Sequence, residues 1–196
     1  MKIAAIVLSA GASTRMTGYK QLLQYKGAPF LQRLFKTLET INLEKIICVT
    51  GELHQELIDL SSSKNISFVR NINYKNGMLS TIQLGLSEII QEENYDAVLI
   101  CLSDQPLIPL AHYERIIKEA EESDKTIICS SYNETFGPPL LFKTEHYNEI
   151  LQLQGKSAKP FIKKNKSEVH FIDCDEAGKD IDTDEDYQKL IEFDGK

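Results

Sequence analysis

Three clusters of residues in this 196-residue chain have types and spacings suited to phosphate chemistry. The first lies in "LSAGASTRMTGYK", residues 8–20, where Gly11 follows an apolar run and Arg15 and Lys20 follow Gly11. Glycine admits φ > 0 and close approach of a ligand, and successive N–H groups in such a turn can cradle an anion. Arginine adds a planar fork of donors and lysine a point charge, a combination that suits a triphosphate. The second cluster is "SDQP", residues 103–106, whose Asp104 can hold Mg²⁺ while substrate phosphates complete the shell. The third is "DIDTDEDY", residues 180–187. Thr183 can cap a helix with Asp184, Glu185 and Asp186 in its first turn. Asp180 and Asp182 precede that cap, and with Asp104 they can form a two-carboxylate metal site. Each cluster also has a plain reading: a strand-to-helix turn, a turn cap before Pro106, and a solvated acidic turn.

Two further stretches carry weaker signals. "NGMLSTIQLGL", residues 76–86, places Gly77 and Ser80 at a helix start, where free N–H groups can meet a ligand. "QGKSAKPFIKK", residues 154–164, clusters Lys156, Lys159, Lys163 and Lys164. With Ser157 as cap and Pro160 in the first turn, Lys156, Lys159 and Lys163 share a face. That face is either a solvated basic helix or a site for a second anionic substrate. Familiar nucleotide motifs are not met. The first loop lacks the G-x4-G-K-[ST] spacing, and Ser13 and Met16 occupy the later glycine positions of G-x-G-x-x-G. "GKS" at residues 155–157 lacks its earlier glycine, since Ile150 stands there. The four histidines show neither triad nor metal spacing.

Alternating elements must position these residues. Strands are expected at residues 2–8, 45–50, 66–69, 97–102 and 126–130, and helices at 30–38, 54–60, 79–90 and 113–122. In the 79–90 helix, Ile82, Leu86, Ile89 and Ile90 are expected on one buried face. After Ser130 the rhythm loosens: "YNETFGPPLLF", residues 132–142, reads as a turn or hairpin and a short strand, with late helices at 156–164 and 184–193. The β-α-β-α order implies an α/β fold with a mostly parallel sheet covered by helices. Ligands of such folds sit outside the carboxyl ends of the strands, just after Leu8, Thr50, Val69 and Leu102. No repeat, linker or low-complexity tract divides the chain, so residues 1–196 are read as one domain.

Composition narrows the class. Hydrophobic residues make up 42% and charged residues 26%, which argues against wholesale disorder. A net charge of −7 argues against nucleic acid or an anionic membrane as the main partner. Cys48, Cys101, Cys129 and Cys174 form no C-x-x-C pair, and the first three lie in apolar strand-like runs, as core thiols of a reducing compartment do. The apolar stretch before Gly11 is too short for a membrane span and has no signal-peptide pattern after it. A cytoplasmic enzyme or binding protein is the expectation.

The order of these motifs resembles the molybdenum-cofactor nucleotidyltransferases, from Leu8 to Tyr187. The family pattern L-x-[AG]-G-x-S-x-R-[MF]-G-x-x-K is met at Leu8, Ala10, Gly11, Ser13, Arg15, Met16 and Lys20. The resemblance implies a three-layer, Rossmann-like GT-A nucleotidyltransferase fold with a mixed sheet. It implies that the backbone of Leu8, Ser9, Ala10 and Gly11 meets the base and ribose. It gives the triphosphate to Arg15 and Lys20, a nucleotide contact to Ser80, and Mg²⁺ to Asp104 and Asp182. Arg15, Lys20 and Asp104 would be catalytic, with Lys156 and Lys159 on the acceptor side.

"SAG", "KQLL" and "DIDT" look more like the cytidylyl branch than the guanylyl branch. That implies CTP as donor, molybdopterin as acceptor, and transient contact with molybdoenzymes or their chaperones. Departures are Thr17 where the family has Gly, which would be strained if φ > 0 were required, Pro138 in the G-[HN]-P segment, and "GKSAK" for G-D-x-G-[AR]. The alternatives are another phosphorylated acceptor such as a sugar or polyol phosphate, GTP as donor, or a nucleotide-binding regulator without turnover.

Overall fold

A computed structural model describes every residue except Ala12, Thr14, Glu93, Gly195 and Lys196, and describes Phe193 and Asp194 as backbone only. The elements run β1 (Ile3–Ser9), β2 (Gln24–Tyr25), β3 (Ala28–Pro29), α1 (Phe30–Glu39), β4 (Lys45–Thr50), α2 (His54–Ile58), β5 (Ile66–Arg70) and α3 (Met78–Glu92). Then come β6 (Ala97–Leu102), α4 (Leu110–Glu122), β7 (Ile127–Tyr132), β8 (Thr135–Lys143), α5 (Tyr147–Gln152), α6 (Lys159–Lys164), β9 (Val169–Asp173) and α7 (Asp184–Asp194). Seven strands form one sheet in the order β5-β4-β1-β6-β8-β7-β9. Only β8 runs against its neighbours β6 and β7. The α/β class and the mostly parallel mixed sheet are as the sequence implies.

Alternation along the strands sends side chains to two layers. Ile3, Ala5 and Val7 pack with Leu31 and Phe35 of α1 and Tyr113 and Ile116 of α4. Ala4, Ile6 and Leu8 pack with Ile82 and Leu86 of α3 and Phe161 and Ile162 of α6. A third, small cluster joins Ile181 and Leu190 of the C-terminal segment to Tyr25 and Phe30, with Met16 against it. This last core holds the acidic segment over the start of the chain. All four cysteines are buried and free, and His112 shares a hydrogen bond of 2.8 Å with Ser130 inside the core.

The chain turns back on itself beside β1. From β1 it builds outward through β4 and β5, then crosses to β6 on the other side. Leu8 lies opposite Leu102 in the parallel β1–β6 pair, so both strands end at one level. This is the switch point where such folds open a crevice.

Several expectations need correction. Ile90 is 42% exposed, because it lies about 100° around the helix from Ile89. α4 begins three residues earlier than expected, after Pro109. α6 begins at Lys159, and its N-cap is Ala158 rather than Ser157, because Gly155 turns the chain with φ +116°. Lys156 therefore lies outside the helix. The short strand expected after the hairpin is a nine-residue β8. It accommodates Pro138 and Pro139 because the β7 register shifts at Cys129/Ser130, opposite the prolines, where no N–H is needed. α5 and β9 were not foreseen.

Candidate functional site

A cleft of about 410 Å³ opens at the switch point. Leu8, Ala10, Gly11, Arg15, Lys20, Asp104 and Asp182 all line it. Alternation along β1 explains the selection: Leu8 and Ala10 point into the cleft, while Ser9 points the other way and is 2% exposed. Ser103 fixes the meeting of β1 and β6 by donating its N–H and its hydroxyl to the Leu8 carbonyl, at 3.3 and 3.1 Å.

The glycine loop, whose Ala12 and Thr14 lie outside the described residues, is held from within. Ser13 takes φ +48°, and its Oγ accepts the Lys20 N–H at 3.1 Å. Gln21 donates to the carbonyls of Ser9 and Gly11, each at 3.2 Å. Thr17 is not among the residues with positive φ, so the strain anticipated there does not arise. Instead Thr17 Oγ1 donates to Asp184 at 3.0 Å, and its N–H approaches the same carboxylate at 3.3 Å. Close approach has a specific requirement opposite the loop. A side chain at Gly51 would collide with the Ala10 carbonyl.

The acidic segment comes down from the other side. Thr183 and Asp186 exchange hydrogen bonds that close the start of α7: Asp186 N–H donates to Thr183 Oγ1 at 3.1 Å, and Thr183 N–H to Asp186 at 2.9 Å. Ile181 N–H donates to the Asp104 carbonyl at 3.1 Å, which sets Asp182 beside Asp104.

Lys20 Nζ lies between the two carboxylates, 3.1 Å from Asp104 Oδ2 and hydrogen-bonded to Asp182 Oδ1. Arg15 reaches Asp182 at 2.6 Å but is largely open to water, so this pair contributes position more than stability. Burial alone would lower the Lys20 pKa, but Asp104 and Asp182 outweigh it and raise it, keeping the ammonium charged. Burial raises Asp104 against the pull of Lys20. Asp182 goes the other way: burial would raise it, yet Lys20 and Arg15 hold it below the usual carboxylate value.

Asp180 completes the acidic wall. It is an exposed residue whose carboxyl turns inward to accept a 2.9 Å hydrogen bond from Gln105. Burial, then repulsion from Asp104, pushes it up to about 6. Gln105 also donates to the carbonyls of Ala177 and Pro138, at 2.8 and 3.3 Å. It thereby ties the end of β6 to β8 and to the acidic segment, a role a lone glutamine in "SDQP" does not announce.

The helix start supplies the third wall. Gly77, Met78 and Thr81 line the cleft, while Ser80 turns its hydroxyl to the Gly77 carbonyl at 2.8 Å. Asn71 donates to both Ser80 and Thr81 at 3.1 Å and so orients this turn. Gly77 has φ +105° and lies against Lys156, whose carbonyl accepts the Leu79 N–H at 3.0 Å. Lys156 and Lys159 do not line the cleft. Lys159 stands over the Phe136 ring, 5.9 Å from its centroid.

Two hard carboxylate oxygens converging on one positive charge suit a divalent cation such as Mg²⁺. Among the described residues no group of three or more histidine, cysteine or acidic side chains forms a complete metal cage. Part of such an ion's shell would therefore come from a ligand. Among the described residues no helix is long and apolar enough to cross a membrane.

Known proteins are similar to this chain in sequence or in fold. The bifunctional protein GlmU of Francisella tularensis subsp. novicida is 28% identical over 134 residues, 66% of this chain. The match covers only 28% of that relative's length. A nucleotidyl transferase from Methanothermobacter thermautotroptrophicus superposes with a TM-score of 0.81 at 20% identity, covering 96% of this chain and 95% of that one. Rv0371c of Mycobacterium tuberculosis, in complex with manganese, superposes with a TM-score of 0.76 at 22% identity, covering 98% and 99%. Residues 5–169 match the MobA-like NTP transferase domain, and the chain belongs to that family of nucleotidyltransferases.

Proposed function

We propose that this protein transfers CMP from CTP to molybdopterin, releasing pyrophosphate, with Mg²⁺ held by Asp104 and Asp182. The observation that carries the reading is the convergence of Arg15, Lys20, Asp104 and Asp182 at the switch point of the sheet. Two cations and two carboxylates there match the needs of phosphoryl chemistry, in which positioning and charge stabilisation do most of the catalysis. That Rv0371c, which shares this fold, forms a complex with manganese supports a divalent ion here. The cytidylyl preference is supported by the "SAG", "KQLL" and "DIDT" sequences.

The nucleotide base and ribose lie along Leu8, Ser9, Ala10 and Gly11, with only backbone contact at Ser9, whose side chain is buried. Lys20 and Arg15 exchange their carboxylate partners for the β- and γ-phosphates. A phosphate oxygen of the acceptor attacks the α-phosphorus, and the bond to the bridging oxygen breaks. The electron pair leaves with pyrophosphate, which Lys20 and Arg15 stabilise. Asp104 and Asp182 would hold Mg²⁺, which would supply neutralisation of the phosphate charge. Thr81, which lines the cleft, also touches the nucleotide.

The test is pyrophosphate release with Mg²⁺ and CTP, GTP or ATP, with and without molybdenum cofactor. CTP-specific release that requires the cofactor is expected. Release with a sugar phosphate or polyol phosphate instead would replace the acceptor, preference for GTP would replace the donor, and binding without release would make the protein a regulator.

A further inference from the structure

Two cavities open along this edge of the sheet. The second, of about 670 Å³, lies beyond β8 and is lined by Phe136 and Phe171, with Lys163, Lys166, Asp173 and Glu134 at its rim. Its Asp173 already accepts a 2.5 Å hydrogen bond from Ser131 Oγ. The cleft differs in one respect: among the groups that line it is a buried acceptor without a partner, Gln21 Oε1.

Gln21 lies in the short turn Lys20–Leu22 and is 3% exposed. Its Nε2 donates to the carbonyls of Ser9 and Gly11. Two carbonyls on that side fix which end of the amide faces them, because the reversed amide would set oxygen against oxygen. Oε1 is the end left over. Among the described residues nothing donates to it, and the buried Ser9 hydroxyl does not bond to it. Lys20, its neighbour in sequence, has its ammonium committed to Asp104 and Asp182. Buried acceptors in native proteins find a donor in protein, water or ligand. Because Gln21 lines the cleft, that donor comes from what the cleft holds. The triphosphate cannot supply it, since ionised phosphate oxygens accept and do not donate.

We infer that Gln21 is a specificity-determining residue, whose Oε1 accepts a hydrogen bond from a donor group of the bound nucleoside: the exocyclic amine of the base or a ribose hydroxyl. The side chain that braces residues 9–11 thereby also reads the nucleoside lying on them. A site built around such a hydrogen bond rejects an analogue without the donor, because the buried acceptor is then left alone. The inference rests on the proposed placement of the nucleoside along Leu8–Gly11.

The test is a double-mutant cycle by calorimetry, with Mg²⁺ and no acceptor. Wild type and Gln21→Met are titrated with CTP, UTP, 2′-deoxy-CTP and 3′-deoxy-CTP. UTP has a carbonyl oxygen in place of the amine, and each deoxy compound lacks one hydroxyl. One of these three changes should weaken binding to the wild type about 5-fold or more, the loss expected for one hydrogen bond to a buried group. The same change should have no effect on binding to Gln21→Met. Sensitivity to UTP assigns the amine, and sensitivity to a deoxy compound assigns the hydroxyl. If Gln21→Met weakens all four nucleotides by one common factor, the residue only braces the loop and the inference is overturned. Unchanged affinities would overturn it too, with water satisfying Oε1. Should the variant not fold, equal affinity of the wild type for all four nucleotides would overturn it. If the protein prefers GTP or ATP, the CTP reading falls, and the same cycle with that nucleotide and its deoxy forms, with inosine triphosphate as the analogue of altered amine, decides the role of Gln21. Failure to bind any nucleoside triphosphate would overturn both.

Discussion

The two cavities share one edge of the sheet but are built by different means. The cleft at β1 and β6 is made by strand ends. Four charged groups meet there because parallel strands stop in register and a capped acidic segment is tied to the backbone of Asp104. The second cavity is made by a hairpin, two aromatic rings and a helix rim, with few hydrogen bonds fixing its charges. The cleft offers a fixed electrostatic centre, of the kind that stabilises developing charge, whereas the second cavity offers aromatic surface with a loosely held polar rim. The join between them is where Gly77 of the cleft meets Lys156.

The largest difference is expected at the cleft. Asp104→Ala should lower kcat at least ~10²-fold, the usual loss on removing one electrostatic element of a catalytic site. Near-normal pyrophosphate release by the variant would remove Asp104 from the chemistry.

Next in size is the join. Gly77 has φ +105°, and a side chain there would come within 2.8 Å of Lys156 Cβ and 2.9 Å of its carbonyl. Gly77→Val should cost about 1–3 kcal/mol and lower the melting temperature by about 3–10 °C. It should also impair CTP binding, since Gly77 lines the cleft. Unimpaired CTP binding would show that the turn at Gly77 does not shape the cleft.

The cleft was legible because β1 and β6 are unbroken apolar runs, with Gly11 and Asp104 close after them and Arg15 and Lys20 in the loop that follows β1. Asp182 was legible only from the acidic cluster before the last helix and from the family resemblance; all of these residues line the cleft. That Ser80 does not line the cleft was not legible, because its hydroxyl turns back to the Gly77 carbonyl at 2.8 Å and Thr81 lines the opening. The second cavity was not legible. α5 and β9 have six and five residues, too few to show a period, and the prolines of β8 argue against a strand until the register shift is seen. Phe136 and Phe171 are 35 positions apart in sequence and meet only through the β8–β7–β9 order.

A smaller effect concerns Thr17. The resemblance to families with glycine here predicts that Thr17→Gly relieves strain and stabilises the protein. The observed hydrogen bond to Asp184 predicts the opposite. Losing it should cost about 0.5–1.5 kcal/mol, a fall of about 1–6 °C in melting temperature, with a modest rise in nucleotide KM and little change in kcat. A stabilised variant would mean that the threonine is tolerated rather than used.

The smallest effect is a pH signature of the acidic wall. The Asp180 carboxyl has its pKa pushed up to about 6, by burial first and Asp104 second, from an ordinary value of 3.8. Between pH 4 and 6 the folded protein therefore holds a proton that the unfolded chain releases. Stability falls as pH rises through that window and stays lower above it. Asp180→Asn remains neutral and can still accept from Gln105. Because the carboxyl is only partly withdrawn from water, the gain should be at most about 1 kcal/mol, or about 2–4 °C, at pH 7.5 in chelator. The gain should vanish near pH 4. A gain independent of pH would mean that the variant acts through packing, and that repulsion from the carboxylates of the cleft does not govern Asp180.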